Sequence, residues 1–112
     1  VFITHDLGVA SFLCEEIAIM YLGRIVETGP TDAVLNAPAH PYTAALRAAA
    51  PRFFEPIAEP LPGEIPSPLD LPQGCRFSGR CPLVQADCHA RDPHLARTET
   101  GRAVACLHPC AP

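Results

Sequence analysis

The chain contains no lysine; all eight of its basic residues are arginine, against twelve acidic ones, for a formal charge of -4. A chain so balanced offers no broad basic face, which excludes nucleic acid as a main partner. Long apolar runs are missing too. None approaches the roughly 20 residues that a membrane-spanning helix needs, and the first residues lack a basic-then-apolar signal pattern. No internal repeat is visible. At 112 residues the chain can bury one modest core at most. It opens on Val1 and enters an apolar run, VFIT, at once. That opening is expected of a piece cut from a longer protein.

What is present falls into three regions. Residues 1–36 read as the end of an α/β domain. VFIT suits a strand buried on both faces, as in a parallel sheet, and Thr4, His5 and Asp6 end it with polar groups. Val9, Phe12, Leu13 and Ile17 recur at helical spacing, which predicts a helix from Leu7 to about Glu16. IAIMYL is strand-like, and GRIVETG follows it. With Leu22-Gly23 as a tight turn, the two make a hairpin. Gly29-Pro30 ends it. Thr31 is the expected N-cap of a short helix, DAVLNA, which Pro38 breaks.

Residues 37–72 hold a second short helix and a connector. Pro41 stands at a first-turn position before YTAALRAAA, and Pro51 stops that helix. Residues 51–72 carry half of the fourteen prolines and read as an extended connector, stiffer than a Gly/Ser linker. Its Phe53, Phe54, Ile57, Leu61, Ile65 and Leu69 are expected to press it onto another surface. Residues 73–112 carry five of the six cysteines and are expected to be irregular.

A polar cluster at the carboxyl end of a buried strand is where ligands sit in parallel α/β sheets. His5 is the candidate there, since imidazole can donate to a phosphate oxygen or orient a water near neutral pH. The same position also suits a capping or merely solvated histidine.

The run from VFITHDLG to HPYTAALRAAAP resembles the end of the ATP-binding subunit of bacterial oligopeptide/dipeptide ABC transporters. ITHDL resembles that family's switch-histidine loop, and IAIMYLGRIVETG the hairpin that closes its nucleotide-binding domain. HPYTAALRAA is similar to the segment that marks peptide importers, and GEIPSPLDLPQGCRFSGRCP to their C-terminal extension. The resemblance covers nearly the whole chain. Metal–chelate and nickel importers share parts of the pattern.

The resemblance implies a fold: the truncated end of an ABC-type nucleotide-binding domain, with one core strand, a helix, a hairpin and two short helices, then a Pro-rich and Cys-rich extension. It implies that His5 contacts the γ-phosphate and holds the attacking water, with Asp6 supporting the loop, in a site that uses ATP and Mg2+. It implies a second ATP-binding subunit and membrane-spanning permease subunits as partners, at the inner face of the cell membrane. This chain has no G-x-x-x-x-G-K-S/T phosphate loop, no acidic strand end for magnesium and no Ser-Gly-Gly-type signature. ATP hydrolysis is therefore expected of the parent protein and not of these residues alone.

The thiols remain. In the cytoplasm, where such a subunit works, disulfides are disfavoured. Free thiols are a second reading, but a segment this poor in apolar residues has little use for cysteine as packing. The spacing C-x5-C-x6-C-x17-C is looser than the C-x2–4-C pairs of structural zinc, and four thiolates also hold iron–sulfur clusters. Members of the resembled family carry a four-iron four-sulfur cluster on this extension. The matching positions are Cys75, Cys81, Cys88 and Cys106, with Cys110 able to replace Cys106 and zinc as the alternative metal. His89 and His108 flank these positions in supporting or solvated roles, and Cys14 reads as a packed thiol on the early helix. Two other classes compete: a free-standing iron–sulfur or redox module, and a regulatory domain that docks a partner. A longer reading frame with a phosphate loop upstream separates them from the ATPase parent.

Overall fold

Leu22 and Gly23 both lie at positive φ, 50° and 75°, the backbone of a two-residue type I′ turn. Glycine meets that geometry without a Cβ penalty. The turn joins β1 (Glu16–Tyr21) to β2 (Arg24–Pro30), paired antiparallel with Tyr21 opposite Arg24 and a bulge between Ile19 and Met20. Alternation along β1 buries Ile19 and Tyr21 and exposes Met20. This computed structural model describes residues 3–4, 7–49, 69–98 and 101–110.

Helix α1 (Leu7–Leu13) precedes the hairpin, and α2 (Thr31–Asn36) and α3 (Pro41–Ala49) follow it. Pro41 opens α3, where a missing N–H costs nothing. The tail then adds a 3₁₀ turn (Ala86–His89) and two very short strands, β3 (Ala96–Arg97) and β4 (Ala103–Val104). The four strands form one antiparallel sheet in the order β1-β2-β4-β3. β4 joins the free edge of β2, with Val104 opposite Glu27, and the Ala105 N–H donates to the Val26 carbonyl at 2.8 Å.

One core serves both regions. Ile19, Tyr21, Val26 and Val34 pack with Phe77, which comes from the tail. Phe77 meets Tyr21 edge-on at 5.2 Å and Tyr42 at 5.4 Å, distances at which aromatic pairs attract.

Several expectations are corrected. Among the described residues the sheet is antiparallel, and Ile3 and Thr4, the described part of VFIT, do not belong to it. Val1 and Phe2 lie outside the described residues, Ile3 and Thr4 belong to no element, and Ile3 is 93% exposed. Helix α1 stops at Leu13, three residues early, so Cys14 stands just beyond it, its N–H donating to Ala10. Thr31 is the first helical residue and not the cap. Pro30 holds the cap position, while the Thr31 N–H is taken by the Glu15 carbonyl at 2.9 Å. The tail is not irregular throughout, because β2 offers it an unpaired edge. Most of the connector lies outside the described residues, and its Leu69 is 97% exposed instead of pressed onto a surface.

Candidate functional site

The seam between hairpin and tail is built around a buried carboxylate. Glu27, on β2, has no exposed surface. Its two oxygens accept the N–H groups of Ala39 (2.9 Å) and His40 (3.0 Å), just before α3. Arg102, leading into β4, reaches across. Its guanidinium donates to the Ala33 and Ala37 carbonyls at 2.8 and 2.6 Å and stands 3.9 Å from Glu27. A buried charge persists only when paired and hydrogen-bonded in this way.

His40 is the second joint. Its Nδ1 accepts the Tyr42 N–H at 3.0 Å, and its ring also bonds the backbone of Ala105, one residue past β4. Burial lowers its pKa to about 4, against the pull of the Ala105 bond, so the ring is neutral near pH 7. Two more arginine contacts cross the seam: Arg76 donates to the Leu22 carbonyl at 2.7 Å, and Arg24 pairs with Asp92.

Against this seam the tail folds its thiols inward. Cys75, Cys81, Cys88 and Cys106 line one cavity, walled by His40 and Phe77. Gly74 makes this possible. A Cβ there would lie 2.2 Å from the Cys88 carbonyl oxygen and 2.5 Å from the His89 backbone, so only glycine lets the segment at Cys75 lie against the 3₁₀ turn. The Cys75 N–H then donates to the Cys88 carbonyl at 2.8 Å. Turn N–H groups point at sulfur: Leu83 at Cys81 (3.4 Å) and Gln85 at Cys88 (3.5 Å).

All six cysteines are free thiols. Burial raises the pKa of Cys75 and Cys81 and pushes Cys106 up to about 11, and in each case neighbouring thiols add to the rise. Cys75, Cys81 and Cys106, desolvated and close to neighbouring thiols, favour the protonated form until a cation is placed among them. The donor set therefore fits a thiophilic metal group. Cys110 is raised chiefly by burial, then by Glu27. Its N–H donates to Ala39 at 2.7 Å, and its thiol is close enough to add to the rise at Cys81.

His5 and Asp6 lie outside the described residues. His89 is exposed, and Cys14 lies in the region before β1. Sequence reading missed Glu27, Arg102 and Phe77. A lone Glu, Arg or Phe in a polar context reads as surface. It also gave His108 only a flanking role, whereas His108 bonds Asp87 at 2.8 Å. The position of Asp87 and His108 beside cysteines was the signal available.

Residues 26–88 match the family model described as the C-terminal region of oligopeptide/dipeptide transporters. The chain is 50% identical over 110 residues to a probable peptide ABC transporter ATP-binding protein of Sinorhizobium fredii, covering 95% of this chain and 31% of that protein. It is 42% identical to the dipeptide transport ATP-binding protein DppD of Escherichia coli (97% and 34% covered). Against the corresponding DppF of Haemophilus influenzae the identity is 41% (96% and 34%). The chain thus spans about a third of the length of the curated relatives it matches. With more than half of its residues inside the family model, the chain belongs to the oligopeptide/dipeptide transporter family, in that family's C-terminal region.

Proposed function

We propose that this chain serves as the C-terminal part of the ATP-hydrolysing subunit of a peptide importer and carries a thiolate-held metal group in its tail. The observation that carries the first half is the 41–50% identity, across 95–97% of the chain, to proteins named as ATP-binding components of peptide transport. In that role the parent protein uses ATP and Mg2+, pairs with a second ATP-binding subunit and docks on permease subunits at the cytoplasmic face of the cell membrane. No described helix is long and apolar enough to cross a membrane, so crossing falls to those partners. The sharing of one core and one sheet between hairpin and tail favours this reading over a free-standing redox module.

His5 would act on the γ-phosphate and the attacking water, with Asp6 steadying the loop, a positional and electrostatic role. In the complete protein, His5→Ala is expected to abolish most ATP hydrolysis and leave ATP binding near the parent level. Unchanged turnover would remove His5 from the site.

For the tail, Cys75, Cys81, Cys88 and Cys106 would hold a four-iron four-sulfur cluster, which when bound supplies four iron–thiolate links between separate turns. Sulfur spacing favours this group. Among the described residues only Asp87, Cys88 and His108 bring three donor atoms within 4.8 Å of one another. No three of the four sulfurs form such a group, whereas bonds of ~2.3 Å would set them all roughly 3.8 Å apart around a tetrahedral zinc. The enclosed space, about 10 Å³, favours the alternative, a single zinc. Rotation of the thiols changes that volume easily, and the C-x5-C-x6-C spacing, looser than the C-x2–4-C pairs of structural zinc, favours the cluster. Anaerobically prepared protein should be brown and contain iron, and Ser at Cys75, Cys81 or Cys88 should bleach it. Stoichiometric zinc without iron would replace the cluster with the single ion.

A further inference from the structure

Two spaces meet at one short segment. Beside the thiol cavity lies a wider groove of about 570 Å³, and Cys106, Leu107 and His108 line both. Residues 106–108 are therefore the partition between the thiols and the groove.

The four thiols are not anchored alike. Cys75, Cys81 and Cys88 lie on one set of bonded turns: the Cys75 N–H donates to the Cys88 carbonyl at 2.8 Å, Ser78 to Cys75 at 3.0 Å, and Val84 to Cys81 at 3.3 Å. Cys106 arrives from the hairpin side, just after Ala105, whose N–H bonds the Val26 carbonyl. What ties its partition to the 3₁₀ turn is the His108–Asp87 ion pair at 2.8 Å, with side chains 32% and 39% exposed. A pair so exposed holds weakly.

The groove also has a sign. Arg91 and Arg97 line it and are exposed. Its two carboxylates are engaged, Asp87 with His108 and Asp92 with Arg24. The remaining positive lining draws small anions and raises their local concentration.

We propose that the groove is an access port for small anionic thiols, and that Cys106 is the one exchangeable ligand of the metal group behind it. The inference rests on the thiolate-held group proposed above. The carboxylate of such a thiol would meet Arg91 and Arg97, and its soft sulfur would take the position that Cys106 leaves. The exchange moves no electrons. The incoming thiol gives up its proton as its sulfur binds the metal, and the departing Cys106 sulfur takes one up. Cys75, Cys81 and Cys88 keep their places on their shared turns.

The full chain carrying Cys106→Ala and Cys110→Ser opens the fourth position and removes the nearest substitute. It is reconstituted anaerobically with the metal that the parent holds. Without added thiol it should retain little metal, and mercaptoacetate should restore the content. The cationic 2-mercaptoethylamine should need about ten times the concentration, a gap that closes at high salt. Adding Arg91→Glu and Arg97→Glu should erase the preference. Cys75→Ser with Cys110→Ser should stay without metal in either thiol. Full metal without added thiol, rescue by neither thiol, equal rescue by both, or equal rescue of the Cys75 variant overturns the proposal. If the parent holds its metal, each of these leaves a metal-bearing tail intact; a parent without metal removes both readings. If the Cys106 variant does not fold, the intact thiol set decides. Metal removal by an anionic chelator should slow about tenfold in Arg91→Glu with Arg97→Glu, compared at equal metal content. An unchanged rate overturns the port.

Discussion

Between Leu7 and Ala49 five regular elements follow one another; between Leu69 and Cys110 the regular structure amounts to one 3₁₀ turn and two strands of two residues each. The first stretch supplies Ile19, Tyr21, Val26 and Val34 to the core, the second Phe77. The tail is ordered by what it borrows: an edge of β2 for its backbone, a ring of aromatics for Phe77, and carbonyls of α2 for Arg102. Its own buried groups are few, Phe77, Ser78, Cys88, Arg102, Val104 and Ala105 among them. A segment too poor in apolar residues to make a core can thus be fixed by a neighbour's core and ladder, to which the proposed metal group would add a cross-link.

The comparison breaks most sharply at Phe77. Replacing it with Ala should cost about 3–5 kcal/mol, the range for deleting a buried aromatic ring. Because Phe77 also walls the thiol cavity, metal content should fall with it. Denaturant unfolding and metal analysis of the same variant check both. A loss under about 1 kcal/mol, small for a core deletion, would show a tail that holds itself.

Arg102→Ala comes next. It leaves Glu27 buried without its cation and removes the guanidinium from the Ala33 and Ala37 carbonyls, at an expected cost of about 3 kcal/mol. Arg102→Lys should restore little of it, since one ammonium cannot reproduce the guanidinium's spread of donors. An unfolding midpoint near the parent's in Arg102→Ala would mean the seam is not held by this pair.

Glu27 and Arg102 also mark where sequence reading stops. The hairpin was legible because Leu22-Gly23 carries its own turn geometry. Helix α3 was legible because Pro41 announces it. The clustering of Cys75, Cys81, Cys88 and Cys106 was suggested by spacing and resemblance together. β3 and β4 were not legible, since two-residue strands carry no periodicity and exist only because β2 has a free edge. Nor was Phe77, whose partners lie more than thirty residues away in the chain. Charged residues at 27 and 102 read as surface until their burial is seen. His5 and Asp6 lie outside the described residues.

Acid should loosen the seam before it touches either region's own packing. The unfolded chain protonates His40 near its ordinary 6.5, whereas the buried ring resists until about 4. Between those values the unfolded state binds more protons, so stability is full above pH 6.5 and declines as pH falls toward 4. At about 1.4 kcal/mol per unit the whole window amounts to roughly 3 kcal/mol, and the step from pH 7 to pH 5 to about 2. Unfolding measured at those two pH values should show this drop in the parent and a shallower one in His40→Gln. Equal slopes would take His40 out of the seam's energetics.

The smallest effect is expected at Cys14, and it tests the comparison from the other side. Cys14 belongs to the first stretch, just past α1, half-buried, with its N–H bonded to Ala10. It does not line the thiol cavity. Cys14→Ser keeps the backbone bond and nearly the same volume, so stability should change by no more than about 0.5 kcal/mol. Metal content should not change at all. The same substitution at Cys88, which is 8% exposed and lines the thiol cavity, should lose the metal. Parallel metal analysis of the two variants separates a thiol that packs from one that ligates. Loss of metal in Cys14→Ser would mean the two stretches share a site as well as a core, and the division drawn between them would have to move.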